Sequence, residues 1–186
     1  MSKIKIGVLV GSARKNSFSK KVAEALCSYL PDSYEAKFVE IGQLELYNQD
    51  YDDDGNVPKS WVAFREEVKG MDGYIFVTPE YNRSVPPALK NALDIASRPY
   101  GQNCWSGKPG AVISVSPGSL GAFGANHHLR QSLTFLNVYT MQQPEAYLSN
   151  IADALDKDGD LTNEGTLGFI KNIAEGYVNW VSKFQA

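Results

Sequence analysis

Ile4-Lys5-Ile6-Gly7-Val8-Leu9-Val10 runs directly into Gly11-Ser12-Ala13-Arg14-Lys15-Asn16-Ser17-Phe18-Ser19. The two halves have opposite physical characters. The first is almost wholly apolar, as a parallel strand covered on both faces must be. The second is small, hydroxylated and basic. Beyond it, Val22, Leu26, Tyr29 and Leu30 recur at helical spacing. An apolar strand, a polar turn and an amphipathic helix in that order read as the first β–α unit of an α/β protein.

The same alternation continues along the chain. Apolar runs at residues 3–10, 34–41, 73–78 and 110–116 read as buried strands, with a weaker fifth at 138–142. Helical spacing fills the gaps. Trp61, Phe64 and Val68 share a face after Pro58, and Leu89, Ala92, Leu93 and Ala96 do so after Pro86-Pro87. Leu129, Leu133 and Leu136 mark a fourth helix, and Leu167, Ile170, Ala174, Tyr177, Val178 and Val181 a fifth. Right-handed crossovers then predict a doubly wound, three-layer α/β sandwich with a five-stranded parallel sheet in the flavodoxin-like order 2-1-3-4-5. One domain spanning residues 1–186 is expected at this length. Residues 43–57 and 99–109 are long for connections in such a domain, and long loops are often functional.

Composition narrows the functional classes. Eighteen basic against 21 acidic residues give a net charge of -3, which argues against nucleic-acid and membrane-surface partners. No apolar stretch reaches the roughly 18 residues of a membrane span, and a cytoplasmic protein is expected. The acidic run Asp52-Asp53-Asp54 reads as solvated loop. Cys27 and Cys104 lack any C-x-x-C spacing, so neither a metal site nor a disulfide is predicted.

In an open parallel sheet, ligands bind outside the carboxyl ends of the strands. Three polar reversals fall there. The first, Gly11 to Ser19, places a helix N-terminus beside the hydroxyls of Ser12, Ser17 and Ser19 and the guanidinium of Arg14. Free N–H groups, hydroxyls and a forked cation make a monophosphate cradle. The second, Thr78-Pro79-Glu80-Tyr81-Asn82-Arg83-Ser84, carries a planar ring and an amide. It suits a flat, polar-edged ring. The third, Ser116-Pro117-Gly118-Ser119-Leu120-Gly121-Ala122, is small and glycine-bearing, which lets backbone N–H groups approach a ligand closely. Phosphate at one reversal and ring at the others point to flavin mononucleotide (FMN).

Competing motifs fail on spacing. Gly11-Ser12-Ala13-Arg14 lacks G-x-G-x-x-G, and Gly107-Lys108 is followed by Pro109 where a nucleotide-binding P-loop needs a hydroxyl. Asp156, Asp158 and Asp160 resemble a calcium loop with its glycine misplaced. His127-His128 lacks metal-ligand spacing and reads as helix surface or a subunit contact. Glu80 reads either as a salt-bridge partner of Arg83 or Lys90 or as an acid/base group near the ring.

Three blocks carry a family resemblance: Gly11-Ser12-x-Arg14-x-x-Ser17, Pro79-Glu80-Tyr81-Asn82-x-Ser84-x-Pro86-x-x-Leu89-Lys90-Asn91-Ala92-x-Asp94, and Ser114-x-Ser116-Pro117-Gly118. They closely resemble the NAD(P)H-dependent FMN reductases, with the bacterial quinone and chromate reductases as the nearest branch. Ser19 departs from the asparagine of many relatives, and both residues can bind phosphate. The resemblance implies noncovalent FMN, NADPH or NADH as reductant, ping-pong hydride transfer through flavin N5, and a quinone or other small-molecule acceptor such as chromate, nitro or azo compounds. It implies no catalytic side chain and no metal. Gly11, Ser12, Arg14, Ser17, Phe18 and Ser19 would surround the phosphate; Pro79, Glu80, Tyr81, Asn82 and Ser84 would line the ring; Ser116, Pro117 and Gly118 would lie near its polar edge. A homodimer or homotetramer is implied, with contacts from the helix carrying Asn126, His127 and Arg130. The alternative readings are a flavodoxin-type electron carrier and an FMN-binding redox sensor without turnover of its own.

Overall fold

The computed structural model describes residues 2–185. In chain order it contains β1 (Ile4–Val10), α1 (Phe18–Ser28), β2 (Tyr34–Phe38), α2 (Asp50–Asp53), α3 (Lys59–Lys69), β3 (Gly73–Thr78), α4 (Pro87–Ala96), β4 (Pro109–Val115), α5 (Phe123–Phe135), β5 (Tyr139–Thr140), β6 (Ala146–Leu148) and α6 (Glu164–Val181). Single 3-10 turns follow at Ile151–Ala154 and Ser182–Phe184. The strands are parallel in the order β2-β1-β3-β4-β5. This is the flavodoxin-like arrangement expected from the β–α alternation.

Side chains alternate across the sheet and so divide the interior in two. Ile6, Val8, Ile75, Val77, Ala111 and Ile113 face α1 and α6. Leu9, Tyr74, Phe76 and Val112 face α3, α4 and α5. The helices begin where their caps dictate. Ser17 Oγ accepts from Lys20 N at 3.1 Å at the start of α1, and Asn163 Oδ1 accepts from Thr166 N at 2.9 Å at the start of α6. Helix α1 stops at Ser28, short of Leu30, because the residue before Pro31 is pushed out of helical conformation.

The fifth sheet position differs from the expected continuous strand at 138–142. Tyr139 and Thr140 pair only with Pro109 and Gly110. Pro144, which has no N–H for a ladder bond, interrupts the run, and the chain rejoins β4 at Ala146–Leu148 opposite Ile113–Val115. The sheet therefore has six strands in five positions. Strand β2 also ends early, at Phe38, although Val39 N still donates to Val8 O at 2.9 Å.

Both long connections pack onto the core. In residues 99–109, Trp105 is fully buried and its Nε1 donates to Leu93 O at 3.0 Å. Residues 43–57 form a strap over Trp61, whose Nε1 donates to Glu45 O at 3.2 Å while Tyr47 stacks on its ring at 5.5 Å. Asn91 of α4 holds the strap by accepting from Tyr47 N at 2.8 Å and donating to Glu45 O at 3.0 Å. The acidic run is not simply solvated. Asp52 lies in α2 and makes a bidentate pair with Arg65, both bonds 2.7 Å, while Arg65 Nε donates to Ile95 O at 3.0 Å.

That pair is 12% and 3% exposed at Arg65 and Asp52, whereas Lys90–Asp94 on α4 is 50% and 41% exposed. Removing one partner of a buried pair costs about 3–5 kcal/mol, and an exposed helical pair contributes under about 1 kcal/mol. Asp52→Ala is therefore expected to lower unfolding free energy in urea several-fold more than Asp94→Ala. Equal losses would show that the strap is not held by this pair.

Candidate cofactor site

The first reversal is held open from below. Gly11 N donates to Val77 O at 2.8 Å, extending the β1–β3 ladder one residue past the strand. A side chain at Gly11 would meet Pro79 Cδ at 3.1 Å and Leu89 Cδ2 at 3.3 Å. Glycine thus lets the first and second reversals pack closely, and a larger residue would force Pro79 or Leu89 to shift by a few tenths of an ångström. Ser17 and Ser19 are buried, and Ser12, Arg14 and Lys15 reach toward solvent. The Arg14 guanidinium lies 5.9 Å over the Phe18 ring. Ser17 Oγ is occupied as the helix cap, leaving the N–H groups of Phe18 and Ser19 ahead of the first intrahelical bond. Buried hydroxyls, uncommitted N–H groups and a free guanidinium can hold a phosphate.

The second reversal is a two-residue turn. Tyr81 N donates to Ser84 O at 3.1 Å and Ser84 N to Tyr81 O at 3.0 Å. Asn82 and Arg83 sit at φ 49° and 65°, both left-handed. Asparagine tolerates this region, but a non-glycine pair there costs on the order of 1–3 kcal/mol each and survives only where contacts impose it. The imposing contacts come from α5. Glu80 Oε2 accepts from Ala125 N at 3.0 Å, Glu80 Oε1 from Arg83 Nη1 at 3.2 Å, and Ser84 Oγ bonds His128 Nδ1 at 3.0 Å. Gly124 makes room, since a Cβ there would lie 2.9 Å from Arg83 O and from Glu80 Oε2. Glu80 thus clamps the turn to a helix N-terminus and pairs with Arg83. The acid/base alternative has no support in its contacts. Tyr81 projects from the turn, 43% exposed.

The third reversal is braced from beneath by a polar network whose centre, Ser114 and Asn126, is buried and whose end, Arg130, is half-buried. Ser114 Oγ donates to Gly121 O at 2.7 Å, Asn126 Nδ2 donates to Ser114 Oγ at 3.2 Å, and Arg130 Nε donates to Asn126 Oδ1 at 2.9 Å. Asn126 is buried and Arg130 half-buried, both bonded within the fold, while Phe123, His127, His128, Gln131, Thr134 and Phe135 are the exposed residues of α5. Gly118 N donates to Ser116 Oγ at 3.0 Å and Gly118 O accepts from Asn150 N at 3.2 Å, so the ends of this loop are tied within the chain. Asn150 escapes the sequence reading, and Tyr147, part of the family-like stretch Pro144-Glu145-Ala146-Tyr147, is assigned no role there. Asn150 is left-handed, at φ 49°, and nothing local marks it. Tyr147 donates to Glu145 Oε1 at 3.0 Å and bonds His127 Nε2 at 3.0 Å; burial and the Glu145 hydrogen bond push its hydroxyl pKa up.

A cleft of about 660 Å³ runs between the first reversal and the end of β2. It shares Ser12 and Arg14 with the cradle and includes no residue of the second or third reversal. Neither thiol is poised as a nucleophile: burial and Glu24 push Cys27 up to about 11, and burial raises Cys104. Lys108 lies at the opposite rim, where its Nζ caps α3 by donating to Lys69 O at 2.9 Å and Val68 O at 3.2 Å. Asp156 Oδ1 accepts from Asp158 N and Asp160 N, both at 2.9 Å, closing its own turn. Among the described residues no cluster of three metal-ligating side chains occurs, and no helix is long and apolar enough to cross a membrane.

Comparison with known proteins gives one consistent pattern. The family model for NADPH-dependent FMN reductase matches residues 4–153. A quinone reductase of Pseudomonas putida is 52% identical over 176 residues, covering 95% of this chain and 94% of its own. A 2-hydroxy-1,4-benzoquinone reductase of Burkholderia is 45% identical over 178 residues, with 96% of each chain covered. Among solved structures, the flavoenzyme NAD(P)H:(acceptor) oxidoreductase FerB of Paracoccus denitrificans superposes with a TM-score of 0.89 at 38% identity, covering 97% of this chain and 98% of FerB. The matched segment contains all three reversals together with the glycines that let them meet, and this chain belongs to the NADPH-dependent FMN reductase family.

Proposed function

We propose that the chain is a one-domain, cytoplasmic, FMN-dependent NAD(P)H:quinone oxidoreductase. It works by a ping-pong exchange in which oxidised nicotinamide leaves before the acceptor enters. Quinones are its first acceptors, with chromate, nitro and azo compounds as further ones. The observation that carries this reading is the contact between a phosphate cradle and a strained, clamped turn at adjacent strand ends. Family membership and the quinone-reducing relatives support it.

FMN, when bound, would supply the two-electron chemistry that links the nicotinamide to the acceptor. The chain supplies placement. Ser12, Arg14, Ser17, Ser19 and the first N–H groups of α1 hold the phosphate, with Gly11 and Phe18 shaping the cradle. Pro79, Tyr81 and Asn82 line the ring, and Ser84 closes their turn. Glu80 acts as a positioning residue through Ala125 and Arg83. Ser116 N donates to Leu148 O, Gly118 N donates to Ser116 Oγ, and Pro117 has no N–H. The donors that would stabilise negative charge at the ring's polar edge are therefore the next two N–H groups of the third reversal, those of Ser119 and Leu120. Exclusion of water from the covered ring face strengthens each of these contacts.

The outward α5 face supports a homo-oligomer. Phe123 and Phe135 are 52% and 78% exposed, and Phe123 packs with His127 and Tyr147 into an aromatic patch. Apolar exposure of this kind marks an interface.

Purified protein is expected to show a yellow flavin band that NADH or NADPH bleaches without oxygen and that a quinone restores. A colourless protein that refuses micromolar FMN overturns the reading. Arg14→Ala should weaken FMN by about 30- to 150-fold, the loss of a charge-assisted hydrogen bond of about 2–3 kcal/mol. An unchanged dissociation constant would remove Arg14 from the cradle. Gly124→Ala should leave α5 helical but push the clamped turn outward. With overpacking at about 1–3 kcal/mol, flavin affinity should fall at least about fivefold; wild-type affinity would show the clamp to be unrelated to the ring. Light scattering should give a dimer or larger, and Phe135→Asp a smaller species.

A further inference from the structure

The cleft between the first reversal and the end of β2 lies on the far side of β1 from the second and third reversals, because β2 and β3 flank β1 on opposite sides. A flavin held by Gly11–Ser19 and Tyr81–Ser84 leaves it open. Its walls carry the groups that recognise a nucleotide. Phe38 lines it, 42% exposed, and belongs to neither apolar core, while its neighbours Val39 and Ile41 are buried in the α3–α4 side. A half-exposed ring at a strand end, outside both cores, is available to stack on a planar base. Lys15 lines the same cleft and makes no ion pair among the described residues, whereas Lys20 is turned to Glu24 at 3.9 Å. Glu40 Oε1 accepts from Gly42 N at 2.9 Å, which fixes the carboxylate at the end of β2 and leaves its other oxygen to accept from a hydroxyl. In doubly wound folds a carboxylate at that strand end reads a ribose diol.

We propose that this cleft takes the adenylate half of the dinucleotide reductant. The purine stacks on Phe38, the ribose hydroxyls donate to Glu40, and the phosphates lie along Lys15 toward Arg14. The shared wall of Ser12 and Arg14 brings the two nucleotides together at their phosphates, with the nicotinamide passing over the flavin side. The assignment rests on the oxidoreductase reading and adds where the reductant's specificity is read.

The test uses FMN-loaded protein and two readouts. Calorimetric titration with 5′-AMP measures the cleft directly. Steady-state quinone reduction compares NADH and NADPH with 1-benzyl-1,4-dihydronicotinamide, which has no adenylate half. 5′-AMP should bind the wild-type holoprotein and compete with NADH. Phe38→Ala should weaken 5′-AMP and raise KM for NADH and NADPH by about 5- to 150-fold, the range for one base–aromatic stack. It should leave KM for the truncated reductant within about twofold, and Lys15→Ala should act in the same direction. Phe38 and Lys15 are surface residues, so both variants fold. No 5′-AMP binding at millimolar concentration, or an equal rise in KM for all three reductants, overturns the assignment. A chain that binds 5′-AMP but oxidises no reductant overturns the oxidoreductase reading itself, so the two failures remain distinct.

Discussion

The absence of a side chain at Gly11 lets the Pro79 ring pack directly on the end of β1, and the rim of the sheet is organised around that contact. A flavin nucleotide carries its phosphate and its ring on one short chain. A protein that grips both must hold two loops at one fixed spacing. The β1–β3 ladder provides that spacing, and the Gly11 N to Val77 O bond carries it one residue beyond the strands. Any side chain at Gly11 would push against Pro79, Pro86 and Leu89 and open the gap between cradle and ring.

Above that contact, buried polar groups act as positional devices. The left-handed pair Asn82–Arg83 is unfavourable in isolation, and it is imposed from α5 by Glu80, Ser84 and the room left at Gly124. The Ser114–Asn126–Arg130 network does the same for the third reversal, linking β4, α5 and the chain entering β6. Each network is satisfied, as buried polar groups must be if they are to specify one arrangement. Helix α5 is therefore the common brace of two reversals, and the aromatic face it turns outward is free for another role.

The long connections have a different logic. Their aromatic residues, Tyr47 and Trp105 above all, are anchored in the α3–α4 side of the core by stacking and indole hydrogen bonds. Loops of this length suggest a roof over a ligand, yet here they complete a core that three short helices cannot close alone. Open space for a ligand lies instead in the cleft between the first reversal and the end of β2.

Much of this was legible in residue order. Near-continuous apolar runs and helical spacing between them follow from local sterics and burial, so the strand order could be read from the alternation that begins at Ile4. The division of the fifth strand was legible only in part, because Pro144 signals a break without saying where the chain resumes. The Asp52–Arg65 pair, the Glu80 clamp and the inward turn of Asn126 and Arg130 join residues far apart in the chain, and no periodicity encodes such a meeting. Residue order alone determined the α/β architecture and which side chains could serve a phosphate or a ring, since those depend on local pattern and chemistry. Tertiary structure alone decided which of them are already bonded to the protein and where a cleft remains, because both depend on how distant segments pack.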